Sequence, residues 1–290
     1  MTRRTVPDAE RGMILVNVLM FVAIASALVL LMVNREELAL DRALRMREAA
    51  RAMAVARGGE LSAVTALAQD QVTAPESDHR GEPWAQIEDR GAAIDGGTFD
   101  LAIADAQGRF NVNLLRSGET APVLMFRGLA REVGMDDDQV VQAIAWVRTF
   151  GPVTDLRPIR LAGVPAATAD RLALLVTALP GNTDINLNAA GVEMLTFLFR
   201  DRAVAERLIA VRDRQGFLVP KDLADAGVNQ PGGTGFRSDT FWVRSRVRIG
   251  ATTQQVASLI QRRRNPDGTR ETVPVARWIN AAVPPDAPAL

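Results

Sequence analysis

The sequence predicts an α+β fold: a long N-terminal membrane-spanning helix, an antiparallel sheet, and an all-helical domain inserted between the strands of that sheet. Three observations predict it. Residues 13–33 form an apolar run without charge, proline or glycine, long enough at about 1.5 Å per residue to cross a hydrocarbon layer of roughly 30 Å. Alternation of apolar and polar residues appears near Thr98 and again after Ser238, as half-buried strands require. Between those two places the spacing becomes helical. Strands before and after such a block can join one sheet only if the block is an insertion.

The chain opens with a polar leader, residues 1–12, that ends in Arg11-Gly12 and passes directly into the span at Met13. A secretory signal peptide is one alternative, because Ala25-Ser26-Ala27 has the small-x-small form of its cleavage site. Its apolar region should end before that site, yet Leu28 to Val33 continues apolar. An uncleaved signal anchor is the other alternative. Arginines flank the span on both sides, Arg3, Arg4 and Arg11 before it and Arg35, Arg42, Arg45 and Arg47 after it, so charge does not fix the orientation. Residues 34–71 extend the helix into water. Leu40, Leu44, Ala50, Ala54, Leu61, Val64 and Ala68 are the expected apolar stripe, and Gly58-Gly59 the expected place for a kink.

A Pro- and Gly-bounded loop, Ala74 to Pro83, carries the only histidine, His79, which is expected to be a solvated loop residue. Thr98 to Ala104 alternates as a strand, Asp105 to Gly108 turns, and Arg109 to Asn113 reads as a returning strand. From about Leu114 to Leu223 the spacing is helical. Asp136, Asp137 and Asp138 open one helix, where acids satisfy free N–H groups and the dipole more readily than they form a cation site. Phe110-Asn111-Val112-Asn113 and Ile185-Asn186-Leu187-Asn188 repeat one pattern. In each, the second Asn is placed to cap a helix and the first to tie down the loop. Helices are expected over 189–200 and 203–214. Phe241 to Ile249, Thr253 to Arg263 and Thr272 to Ile279 then form an antiparallel meander. Phe241, Val243, Val247 and Ile249 face one way, and Trp242, Arg244, Arg246 and Arg248 the other. The arginine row is read as solvation of the outer face, not as a nucleic-acid track.

Composition narrows the function. The formal net charge of the 290 residues is zero, so no global field attracts nucleic acid or acidic lipid. Without cysteine there is no disulfide framework, thiolate metal site or cysteine nucleophile. There is no Gly-x-Ser-x-Gly, no histidine pair and no phosphate loop, so no enzyme is expected.

A charged leader ending in glycine and joined to an uncharged helix resembles the type IV pilin-like signal. That resemblance implies cleavage by a prepilin peptidase between Gly12 and Met13. Ile185-Asn186-Leu187-Asn188-Ala189-Ala190 with Arg207 to Phe217 resembles helix-hairpin-helix and SAM-like modules, although the 200–203 link lacks a hairpin glycine. Taken in order with Ala104 to Asn113, Phe241 to Ser245 and Gln255 to Ile260, these segments resemble the K-type minor pseudopilins of type II secretion. The resemblance implies a pilin-like α/β domain from 72–113 and 226–290, and an inserted helical domain over 114–225. It further implies a tip subunit that initiates and caps the pseudopilus for export of folded periplasmic proteins. Expected partners are the I- and J-type minor pseudopilins and the major pseudopilin, with no nucleic acid. The expected location is the inner membrane, single pass, with the bulk in the periplasm. Asn17 stands at position five of the mature helix, where major pilins carry Glu and K-type pseudopilins do not. Calcium in the soluble part is implied by the family only; Asp225, Asp239 and Asp267 are scattered candidates without ligand spacing. The alternative function is a membrane-anchored helix-hairpin-helix DNA receptor.

Overall fold

The computed structural model describes the backbone from Asp8 to Leu290 except Pro75, Ala162 and Pro285, and side chains from Val16 onward except those residues and Leu161. Helix α1 (Asp8–Thr73) is continuous. Residues 8–73 contain no proline, and at about 1.5 Å per residue the helix is roughly 100 Å long. The helix runs through Gly58-Gly59, the expected weak point, without a break. A Cβ at Gly59 would lie 2.7 Å from the Phe99 ring, so this glycine lets the helix press onto the sheet instead of breaking it.

The buried face of α1 also differs from the expected stripe. It consists of Ala52, Ala56, Gly59, Glu60, Ala63, Leu67 and Asp70, whereas Leu40, Leu44 and Leu61 point outward. Small side chains win the inner face because they allow close approach of helix and sheet backbone. Large apolar residues on the other face remain free for partners.

Five strands form the main sheet in the order β1-β2-β7-β8-β9, antiparallel throughout. They are β1 (Asp89–Ile94), β2 (Gly97–Asp105), β7 (Thr240–Ile249), β8 (Thr252–Arg264) and β9 (Arg270–Ile279). β1 lies between the expected loop and the expected strand, in a segment with no assigned element, because its exposed, glycine-containing sequence lacks alternation. Phe241, Val243, Val247 and Ile249 do face α1 together, in two clusters with Leu67, Leu101, Ile260, Ala52 and Ala56. The opposite face is not solvated along its whole length. Trp242, Ala257 and Leu259 are buried there under Leu179 and Ala287. The arginines on that side act as solvating and pairing groups: Arg246 bonds Asp100 at 2.9 Å, and Arg244 bonds Gln255 at 2.9 Å.

The segment at Arg109–Asn113 does not return along β2. Its strand β3 (Phe110–Asn111) pairs in parallel with β4 (Val176–Thr177), outside the main sheet. Between them lie α2 (Thr120–Glu132), α3 (Asp137–Phe150), α4 (Arg157–Leu161) and α5 (Ala166–Ala173). The arrangement then repeats. β5 (Ile185–Asn186) pairs in parallel with β6 (Thr234–Gly235), enclosing α6 (Val192–Phe199), α7 (Arg202–Gln215) and α8 (Pro220–Asp225). One continuous core, including Phe110, Phe126, Leu172, Leu187, Leu208 and Leu218, runs through both halves. It is separate from the clusters that bind α1 to the sheet.

Each half is clamped by its Asn-x-Asn pair, with the roles exchanged from those expected. The first Asn accepts the N–H of the second at its side-chain oxygen, Asn113 to Asn111 at 3.1 Å and Asn188 to Asn186 at 2.9 Å. The second Asn exchanges two bonds with a single backbone residue far along the chain, Val153 for Asn113 and Leu218 for Asn188. An amide side chain offers both donor and acceptor, which is why Asn suits a buried backbone mimic of this kind. The Asp136 cap is as expected: its side chain accepts the Gln139 N–H at 2.7 Å in a full capping box.

Candidate functional site: the membrane helix and the joint beneath the helical region

Apolar side chains between Val16 and Val33 are all exposed, with Phe21 at 68% and Leu30 at 64%, so no described residue covers this segment. It is long and apolar enough to cross a membrane. Asn17 lies on this exposed helix. Gly12 and Met13 fall outside the residues whose side chains are described. Beyond the span, Leu38, Leu40, Leu44 and Met46 remain exposed on α1. A helix that presents apolar side chains on every side over this length needs lipid and neighbouring helices around it.

At the other end of α1 lies a buried polar joint. β2 leaves the sheet at Asp105 beside Phe241, and β7 enters at Thr240, so both connections to the helical region are at one end of the sheet. Asp105 accepts from Asn186 at 2.7 Å and from Ser238 at 2.6 Å. Burial nevertheless pushes Asp105 up to about 6. Gln107 adds a bond to Asp184 on one side and accepts the Asp239 N–H on the other.

Next to this joint, Asp70, Asp78 and Glu82 bring three carboxylates within 4.8 Å of one another, a buried set of the kind that could coordinate a metal ion. Arg262 of β8 enters the same cluster. Its guanidinium donates to Asp70 at 2.7 Å, to Asp78, and to the Leu67 carbonyl at 3.1 Å, with its face 4.6 Å from the Phe241 ring centre. Glu82 accepts from the Trp84 indole at 2.6 Å through Oε2, while Oε1 is buried without a hydrogen-bond partner among the described residues. Burial outweighs those bonds and raises the Glu82 carboxyl to about 7. Burial likewise raises Asp70 above the usual carboxylate range, against the pull of Arg262.

His79 is not the solvated residue expected. Its ring stacks on Phe217 at 4.4 Å, Nδ1 accepts the Gly81 N–H at 3.1 Å, and Nε2 lies 3.5 Å from Glu82 Oε1. Burial lowers its affinity for a proton. The reason is long-range: Phe217 is supplied by the helical region, 138 residues away in sequence (217 minus 79).

The three scattered aspartates stay apart. Asp225 pairs with Lys221 at 2.7 Å, Asp267 accepts from Thr269 at the β8–β9 turn, and Asp239 sits by Gln107. The carboxylate cluster escaped the sequence reading because Asp70 is on a helix, Arg262 on a strand, and only Asp78 and Glu82 share a loop.

No family model matches the chain. Type II secretion system protein K of Pseudomonas aeruginosa is 29% identical over 301 aligned positions, covering 87% of this chain and 89% of that protein. The same-named protein of Klebsiella pneumoniae is 26% identical and covers 62% of this chain and 66% of its own length. The chain is a homologue of the type II secretion system protein K family. Its fold agrees with that relation. A chain in the crystal structure of the GspK-GspI-GspJ complex from enterotoxigenic Escherichia coli superposes with a TM-score of 0.63 at 19% identity, over 82% of this chain and 99% of that one. These similarities support a general pseudopilin role in protein transport. The chain is anchored in the inner membrane by a single apolar helix, with its bulk in the periplasm. The DNA-receptor alternative draws no support from these relations or from the α6–α7 link, where Arg200 and Asp201, not glycine, make the turn.

Proposed function

We propose that the protein is the tip subunit of the pseudopilus, initiating the filament and capping it for export of folded periplasmic proteins. One observation carries this reading: the helical region is attached at the end of the head farthest from the membrane. Glu48, nearer the span, bonds Thr252 at the β7–β8 hairpin, whereas Asp70, in the last turns of α1, bonds Arg262 beside the attachment point. A bulky region with its own core, set there, would obstruct a further pilin-like subunit above. Because β3 and β6 side with the helical core, we draw the inserted domain of the helix-hairpin-helix or SAM-like class over residues 106–239, enclosing the 114–225 core of helices. Residues 1–12 would be the leader, 13–33 the span and 34–71 its extension.

By analogy with the complex named for the Escherichia coli protein, the I- and J-type minor pseudopilins would be the head's partners, with the major pseudopilin below. A prepilin peptidase would cut between Gly12 and Met13, and N-terminal sequencing of the membrane-extracted chain should then begin at Met13. Asn17 fits a subunit with no terminal amine above it to neutralise: Asn17→Ala should leave secretion close to normal. Calcium, implied by family resemblance, meets a guanidinium at the compact carboxylate cluster, and the proposed role requires no cation there. Immunogold labelling of pseudopili tests the tip assignment. Gold at one end of each filament is expected; gold along the whole length would refute it.

A further inference from the structure

We propose that Arg262 is the resident cation of the Asp70–Asp78–Glu82 cluster, so that this joint closes without metal, and that removing the guanidinium turns the three carboxylates into a divalent-cation site. The geometry is that of a filled site. Arg262 is 4% exposed and its head group reaches carboxylates on two different elements, α1 and the loop after it. Its Nε and Nη1 also reach the carbonyls of Leu67 and Ser238, at 3.1 and 3.5 Å. Carbonyl and carboxylate oxygens converging from several chain segments are the donors that hard divalent cations select. A planar guanidinium satisfies the same oxygens through directed N–H bonds.

The remaining carboxylate identifies where the replacement is incomplete. Among the described residues Glu82 Oε1 has no hydrogen-bond donor, His79 Nε2 standing 3.5 Å away, although Asp70 and Asp78 oxygens lie within 4.8 Å of the Glu82 carboxylate. A guanidinium carries one charge on a flat fork of directed N–H groups, and here those reach Asp70 and Asp78 but not Glu82, whereas a spherical ion attracts oxygens from every side. Two neighbouring groups complete the surroundings: His79 on the Glu82 side, and Asp105, which shares Ser238 with this cluster through the Ser238 N–H bond to Asp78 at 2.8 Å.

Trp84, hydrogen-bonded to Glu82, is a built-in antenna for terbium. The full chain in detergent should show no terbium emission that disappears in Trp84→Phe. Arg262→Ala should gain Trp84-dependent emission, lose it to competing CaCl2, and lose it again when Asp78→Asn is added. If Arg262→Ala unfolds in EDTA, CaCl2 should restore its circular dichroism, and should fail to do so with Asp78→Asn present. Trp84-dependent emission from the unaltered chain would overturn the proposal. So would a folded Arg262→Ala chain that binds no terbium, or one that stays unfolded with and without CaCl2.

Discussion

The two halves of the helical region use the same clamp for different ends. In the first half the Asn111 amide donates to the carbonyls of Leu179 and Gly181, closing that half on the linker that follows it. In the second half the Asn186 amide donates to the Asp78 carbonyl, to the Asp105 carboxylate and to Ser238, all beyond the half itself. Their outward faces differ too. α3 exposes Val141 and Phe150, whereas α7 exposes the Arg202–Glu206 pair. One copy of the unit fastens the head together, and the other presents apolar surface. A repeated local device acquires its role from what its free donors reach.

The largest expected effect separates the two asparagines. Asn186→Ala removes four hydrogen bonds, three of them buried, and leaves the Asp105 carboxylate short of a donor. The expected cost is about 3–5 kcal/mol, the range for stranding a buried charge. Asn111→Ala also removes several bonds, but to neutral backbone groups, for about 2–4 kcal/mol. Calorimetry of the full chain should show the Asn186 variant separating the helical and sheet transitions, while the Asn111 variant lowers the helical one alone. Identical thermograms would erase the distinction between the halves.

Next in size is the pH dependence of the joint that only the second half touches. Glu82 titrates near 7 in the folded chain against an ordinary 4.5, so folding takes up a proton between those values. Stability from this group therefore falls as pH rises from about 4.5 through 7 and is level outside that window. Asp105, pushed to about 6 from an ordinary 3.8, adds a loss of the same sign at lower pH. His79, held below its ordinary 6.5, opposes both by favouring the folded chain as pH rises toward that value. Glu82→Gln should remove most of the decline above pH 6, at most about 3 kcal/mol from a shift of this size. Melting temperatures from pH 5 to 8 check it; an unchanged slope would mean that Glu82 is not the titrating group.

Much of this fold was legible because its signals are local. The apolar span, the alternation of β2 and β7, and the Asp136 cap each depend on neighbours within a few residues. The repeated Asn-x-Asn motif was also visible, but not the partners of its amides, since Val153, Leu218 and Asp78 are fixed only by the fold. The joint was hidden for the same reason. Arg262 shares the α1-facing side of β8 with Ser258 and Ile260 but reads, beside Arg263 and Arg264, as the polar end of a strand, and Asp70 belongs to a helix face one step away from the expected stripe. Alanines recur on several faces of α1, so periodicity alone does not separate Ala50 and Ala54 from the buried Ala52 and Ala56, which with Gly59 govern where the helix lies against the sheet.

The smallest expected effects test whether the halves are alike where they should be. α3 and α7 both begin at an aspartate cap. Asp136 accepts the Gln139 N–H at 2.7 Å, and Asp201 accepts the Ala203 N–H at 2.7 Å. A cap acts on the free N–H groups of its own first turn and on nothing beyond it. Asp136→Ala and Asp201→Ala should therefore cost the same, about 1 kcal/mol each, despite the different tasks of the two halves. Neither change should alter the pH slope or separate the transitions, because neither aspartate reaches the joint. Denaturant titration of both variants at one pH measures the costs. If Asp201→Ala costs several times more than Asp136→Ala, strain transmitted through Arg200, which holds a left-handed φ of 58° just before this cap, belongs to the fastening half as well.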